Sequence, residues 1–181
     1  MLLDRKKLKE ILNELNHELQ KKHIKAELFV VGGAAITLVY NSRRTTRDVD
    51  AIFEPKIGVY DAAKEVANNH DFLDEDWLND GVKGLLIGKD DNSTVAFEAS
   101  NLSVRAASAK YLFAMKIAAS RIERDTDDIK FLYKECQFKT ADDALNFVIE
   151  TYPNIKLLPK SQFLLEEIAL ELDKKPTKDE T

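Results

Sequence analysis

Residues 31–35 read Val31-Gly32-Gly33-Ala34-Ala35, and residues 44–52 read Arg44-Thr45-Thr46-Arg47-Asp48-Val49-Asp50-Ala51-Ile52. These two stretches decide how the rest of the chain is read. The apolar run 27–31 before the glycines predicts a short buried strand, and the run 34–40 after them is compatible with a helix. Two glycines at such a junction let the backbone approach a ligand closely, and the N–H groups that open the helix suit an anion such as phosphate. A plain structural turn reads the same way. Asp48-Val49-Asp50 opens a second predicted strand, 48–53, which Pro55 ends. Residues i and i+2 of a strand share a face, so the two carboxylates converge while Val49 turns into the core. Like charges so placed are costly without a counter-ion. Mg2+ supplies one, since it favours one or two carboxylates together with substrate phosphate oxygens. The other reading is a polar face at a strand end. Arg43, Arg44 and Arg47 lie in the loop 41–47 between the two stretches. They suit phosphates or a nucleic-acid backbone, and equally a solvated loop. Thr45 and Thr46 could donate hydroxyls or cap the turn.

Upstream, Leu8, Ile11, Leu12, Leu15 and Leu19 follow the three-four spacing of a helix that Asp4 would cap. Downstream, a helix is predicted over 59–69, strands at 85–87, 94–99 and 102–106, and a turn at 89–92. The segment 71–80 is acidic and holds the only tryptophan, Trp77. From Ser108 the chain reads helical: 108–122, a break at 123–126, 126–135, a helix capped by Thr140, and a last helix from Ser161 to about Leu172. The tail 173–181 is charged and expected to fray. The expectation is an α+β fold: a small mixed β-sheet core with flanking helices over 1–107, and a C-terminal helical part over 108–181.

The chain has 181 residues, 44% hydrophobic and 33% charged, enough apolar material for a core. A net charge of -5 excludes a broad basic coat for nucleic acid but not a local basic edge. One cysteine, Cys136, excludes an internal disulfide and a cysteine-based zinc site. His17, His23 and His70 are scattered. No apolar run reaches the ~20 residues of a membrane span, and the first residues lack the apolar core of a signal peptide. The expected setting is cytoplasmic, with no membrane.

The glycine and Asp-x-Asp stretches together resemble the signature of the DNA polymerase β-like nucleotidyltransferase superfamily. Within it they look like the small bacterial group related to AbiEii/MenT-type toxins. The run Leu112-Phe113-Ala114-Met115-Lys116-Ile117-Ala118-Ala119, followed by Arg124-Asp125-Thr126-Asp127-Asp128-Ile129, resembles that group's second block. Asp76-Trp77-Leu78-Asn79-Asp80 is similar to a segment in some relatives. The resemblance spans roughly 28–132.

It implies that Gly32 and Gly33 contact an NTP and that Asp48 and Asp50 hold Mg2+ (or Mn2+). It further implies that Lys116 reaches the phosphates and that Asp125 and Asp128 complete the site. Read by themselves, Lys116 is a snorkelling lysine and Asp125 and Asp128 are part of a salt-bridge cluster. Tyr111 and Phe113 would stack on a base or, more commonly, fill the core. Two departures stand out. Ala34 follows Gly33 where the superfamily often has serine, and Glu98 is the only candidate for a third metal carboxylate. The activity implied is Mg-dependent transfer of a nucleoside monophosphate to a hydroxyl, with tRNA as an RNA acceptor and an antitoxin as protein partner. The alternatives are a non-catalytic nucleotide-binding or interaction module, and transfer to an aminoglycoside-type small molecule that the acidic segment 71–80 would attract.

Overall fold

The computed structural model describes residues 2–40, 44–119 and 121–173. The chain divides into two compact units, Met1–Ser108 and Ala109–Thr181.

In the first unit, α1 (Arg5–Lys21) begins where Asp4 Oδ1 accepts the Lys7 N–H at 2.9 Å, which satisfies a donor of the first turn. Its leucine and isoleucine stripe is buried. The helix α3 (Lys56–Asn68) buries Val59, Ala62, Ala63, Val66 and Ala67, mostly small side chains that let it lie close against α1. Five strands form the sheet among the described residues: β1 (Ala26–Val30), β2 (Val49–Glu54), β3 (Leu78–Asn79), β4 (Thr94–Glu98) and β5 (Leu102–Ala106). Their order is β3-β2-β1-β5-β4. β1 runs antiparallel to β2 and parallel to β5, β2 is parallel to β3, and β4 is antiparallel to β5.

Strand alternation sorts the residues into two faces. Leu28 and Val30, Val49, Ala51 and Phe53, and Leu102, Val104 and Ala106 are buried. Glu27 and Phe29, Asp50, Ile52 and Glu54, and Ser103 and Arg105 turn to the more open face.

β1 runs into α2 (Gly32–Ala35), which passes directly into a π-helical turn, Ile36–Tyr40. Thr37 Oγ1 donates to the Gly33 carbonyl at 3.0 Å, and Tyr40 OH to the Ala107 carbonyl at 3.1 Å.

Two expectations fail here. The predicted strand at 85–87 is a 3-10 turn, Lys83–Leu85, followed by loop, and its apolar side chains are only half-buried. The fifth strand, β3, lies inside the acidic segment. Trp77 creates it: the indole is 1% exposed, its Nε1 donates to the Ala63 carbonyl at 3.0 Å, and its own carbonyl accepts the Val49 N–H at 2.6 Å. That anchor draws residues 78 and 79 against β2.

The second unit is helical: α4 (Ala109–Ala118), α5 (Ile122–Glu135), α6 (Ala141–Thr151) and α7 (Pro159–Asp173). The predicted break at 123–126 is absent. Glu123 and Asp125 stand in the first turn of α5, where carboxylates complement the helix dipole, and the chain is non-helical earlier, at Ala119 and Arg121. α6 opens with a capping box, Asp143 N–H to Thr140 Oγ1 and Thr140 N–H to Asp143 Oδ2, both 3.1 Å. Tyr111 and Phe113 are core residues rather than exposed stacking platforms. Phe113 is fully buried and packs its ring against Phe138, centroids 4.9 Å apart. Residues 174–181, which hold most of the expected frayed tail, lie outside the described residues.

Candidate functional site

The two quoted stretches press on each other. Gly32 has φ +63°, a left-handed backbone that a side chain disfavours. A Cβ there would stand 3.1 Å from Asp50 Oδ2, and a Cβ on Gly33 would stand 3.0 Å from Thr46 Oγ1. Side chains at these two positions would be crowded by the acid segment itself: what comes close to this backbone is Asp50 and Thr46. The Val31 N–H donates to the Asp50 carbonyl at 2.9 Å, which extends the β1–β2 ladder past its Val30–Ala51 pair. On its other side Asp50 pairs with Asn79 of β3. Asp50 is half-buried on the open face, while Asp48 is exposed in a bend just before β2. The two acids are two residues apart in the chain, but Asp48 stands ahead of the strand on which it was expected.

Thr46, weighed in the sequence only as a hydroxyl donor or turn cap, proves central. It is 8% exposed, and its Oγ1 donates to the Asp48 carbonyl at 3.1 Å. Its backbone pairs with Leu3, N–H to carbonyl at 2.7 Å in one direction and 2.9 Å in the other. Arg5 Nε donates to the Thr37 carbonyl at 2.9 Å. Of the loop arginines, Arg44 is half-buried and Arg47 exposed. Arg43 lies outside the described residues.

Glu98 does not join this corner. It pairs with Ser103, Ser103 with Glu27, and Glu27 with Glu54, so Glu98 belongs to the row at the far end of β2. Three strand spacings and four residues separate it from Asp50, about 14 Å across the sheet and about 13 Å along it. Ser103 Oγ donates to Glu98 Oε2 at 2.7 Å instead.

Among the described residues no three His, Cys, Asp or Glu side chains gather to hold a metal. The pair Asp48 and Asp50 nevertheless fits Mg2+ in kind. Its donors are oxygens only, and Asp50 Oδ2 lies over the glycine turn, which leaves the remaining positions to phosphate and water.

In the second unit, Lys116 Nζ lies 2.9 Å from Asp125 Oδ1 and 2.8 Å from Asp128 Oδ2. Asp125 and Asp128 are three apart on α5 and so share a helix face. All three side chains are 12–18% exposed. The ammonium is therefore neither snorkelling to solvent nor buried alone.

A further cluster escaped the sequence reading. Asp80 Oδ2 lies 2.6 Å from Lys56 Nζ and 2.7 Å from Lys83 Nζ, and Tyr60 OH donates to Asp80 Oδ1 at 2.7 Å. The hydrogen bonds from Lys56, Lys83 and Tyr60 hold the Asp80 carboxyl well below the usual carboxylate range. The only signal was the i,i+3 spacing of Asp80 and Lys83. Burial pushes the Cys136 thiol up to about 12, which disfavours the thiolate.

A family model described as a nucleotidyltransferase of unknown function (DUF6036) matches residues 6–148. The chain belongs to that family. No curated protein and no solved structure matches it. The matched span of this nucleotidyltransferase runs from the first turn of α1 into α6 and takes in the glycine corner, Glu98 and the Lys116 cluster. No helix among the described residues is long and apolar enough to cross a membrane.

Proposed function

We propose that this family member transfers a nucleoside monophosphate from an NTP to a hydroxyl acceptor, with Asp48 and Asp50 as the carboxylates that bind a divalent cation. The observation that carries this reading is Asp50 Oδ2 set over the Gly32 turn. A backbone turn suited to phosphate and an acid pair suited to a cation occupy one corner. Bound Mg2+ (or Mn2+) would neutralise charge on the triphosphate. The chain's own residues do the rest. Asp48 and Asp50 hold the cation, Gly32 and Gly33 shape the turn, and Arg44 and Arg47, with Arg43, give the loop positive charge for phosphates. In the transfer, the acceptor hydroxyl loses its proton to water, its oxygen bonds to the α-phosphorus, the bond from that phosphorus to the bridging oxygen breaks, and pyrophosphate leaves.

The AbiEii/MenT-like identity, a tRNA acceptor and an antitoxin partner rest on the sequence resemblance, as do nucleotide roles for Lys116, Asp125 and Asp128. The test is incubation with each labelled NTP and total RNA, with and without Mg2+. Label should enter RNA only with the cation, and joint Asp48→Ala and Asp50→Ala replacement should remove it. A double variant that labels as well as wild type would show the site assignment to be wrong.

A cationic small-molecule acceptor is the second reading. What favours it is the row of Glu54, Glu27 and Glu98 on the open sheet face. The acidic segment 71–80 favours it less, since Asp80 is committed to Lys56 and Lys83. Label in an aminoglycoside with none in RNA would select it.

A further inference from the structure

Residues 37–40 leave the glycine turn, and residues 44–46 return to the acids. Both flanks of that excursion are held by the same short piece of chain. Arg5 Nε takes the Thr37 carbonyl on one side, and Leu3 pairs through both backbone hydrogen bonds with Thr46 on the other. Thr46 then makes two contacts that bear on the site. Its hydroxyl donates to the carbonyl of Asp48 at 3.1 Å, and the same oxygen fills the space where Gly33 lacks a side chain. Asp48 needs such help, because it lies in a bend outside the β2 ladder and its side chain is exposed. Asp50 is fixed by pairing on both sides, to Val31 and to Asn79.

We infer that Thr46 is a positioning residue. Its hydroxyl fixes the backbone at Asp48, and so sets that carboxylate beside Asp50 and the Gly33 turn. Its pairing with Leu3 fixes Thr46 in turn. This inference rests on the proposed cation-binding role of Asp48 and Asp50. Valine at 46 keeps the β-branched shape and removes the donor, while serine keeps the donor and removes a methyl group. Partners that orient a metal ligand from outside the coordination shell commonly govern affinity by about 10- to 100-fold.

The experiment measures Mn2+ affinity by electron paramagnetic resonance, with a non-hydrolysable NTP analogue present, in wild type, Thr46→Val, Thr46→Ser and the Asp48→Ala, Asp50→Ala double variant. Thermal melting is measured alongside. Thr46→Val should weaken Mn2+ binding about tenfold, and Thr46→Ser should restore most of it. A lower melting temperature with unchanged Mn2+ affinity in Thr46→Val would overturn the inference, as would a serine variant as weak as the valine one. If wild type binds no Mn2+, or the double variant binds it as wild type does, the cation-site reading falls and the inference with it. If those two controls behave and Thr46→Val is silent, the role of Thr46 alone falls.

Discussion

The chain holds two pairs of aspartates built on opposite plans. Asp125 and Asp128 sit on one face of a helix and close on Lys116, with both carboxylates within 3 Å of a single ammonium. Asp48 and Asp50 flank the start of a strand, one exposed to solvent and one leaning over glycine backbone. The first pair has its cation inside the fold, and its ion pairs join α4 to α5. For the second, the proposed cation is one that arrives from solution together with a phosphate. Sequence spacing alone does not separate these cases. One thing that separates them is the neighbour each pair touches: a lysine in an apolar helix for the first, and for the second the Gly32 backbone near Asp50.

The sharpest break of the comparison is to delete each pair. Removing Asp48 and Asp50 together should lower labelled-NTP transfer by about a thousandfold or more and leave the circular dichroism spectrum unchanged. Removing the lysine of the other pair should act first on stability. Lys116→Met strands two partly buried carboxylates and should cost about 3 kcal/mol in urea unfolding. Adding Asp125→Asn and Asp128→Asn should recover part of that loss, since the uncompensated charge is then gone. A smaller effect is expected at the turn. Gly32→Ala places a Cβ in a left-handed backbone against Asp50 Oδ2 and should cost about 1–2 kcal/mol in thermal unfolding, with weaker nucleotide binding.

The mildest prediction concerns the third charge cluster, Asp80 between two lysines. Its carboxyl lies below its ordinary value of 3.8 in the folded chain. Its contribution is therefore fully present above that unfolded value and lost as pH falls through the lower folded one. The stability difference between wild type and Asp80→Asn, followed by urea titration, should be flat above about pH 5 and shrink below about pH 4.

Much of this was legible where a single residue period governs. The α1 stripe, β1, and β2 with its buried Val49 follow from spacing alone, because each segment buries one face on its own terms. β3 was not legible, since its two residues sit in a run of acids and become a strand only because Trp77 is anchored under α3. The triplet Leu85-Leu86-Ile87 has strand-like composition but lies half-exposed. Glu98 shows a different limit. Its local pattern suits a metal ligand, but strand order carries it to the far end of the sheet from Asp50. The pairing of Leu3 with Thr46 joins residues far apart in sequence, and no local pattern announces such a contact.

The anchoring of Trp77 also gives the chain a natural optical probe. It is the only tryptophan, it belongs to the first unit, and its backbone hydrogen-bonds the strand that bears Asp50. Its emission, blue-shifted while the indole stays out of water, reports on the glycine corner's own unit. The far-ultraviolet signal comes from helices of both units, α1 and α3 in the first and α4 to α7 in the second. The tryptophan reads one unit and the far-ultraviolet signal reads both, so an unfolding transition that differs between them would show that the halves do not melt as one.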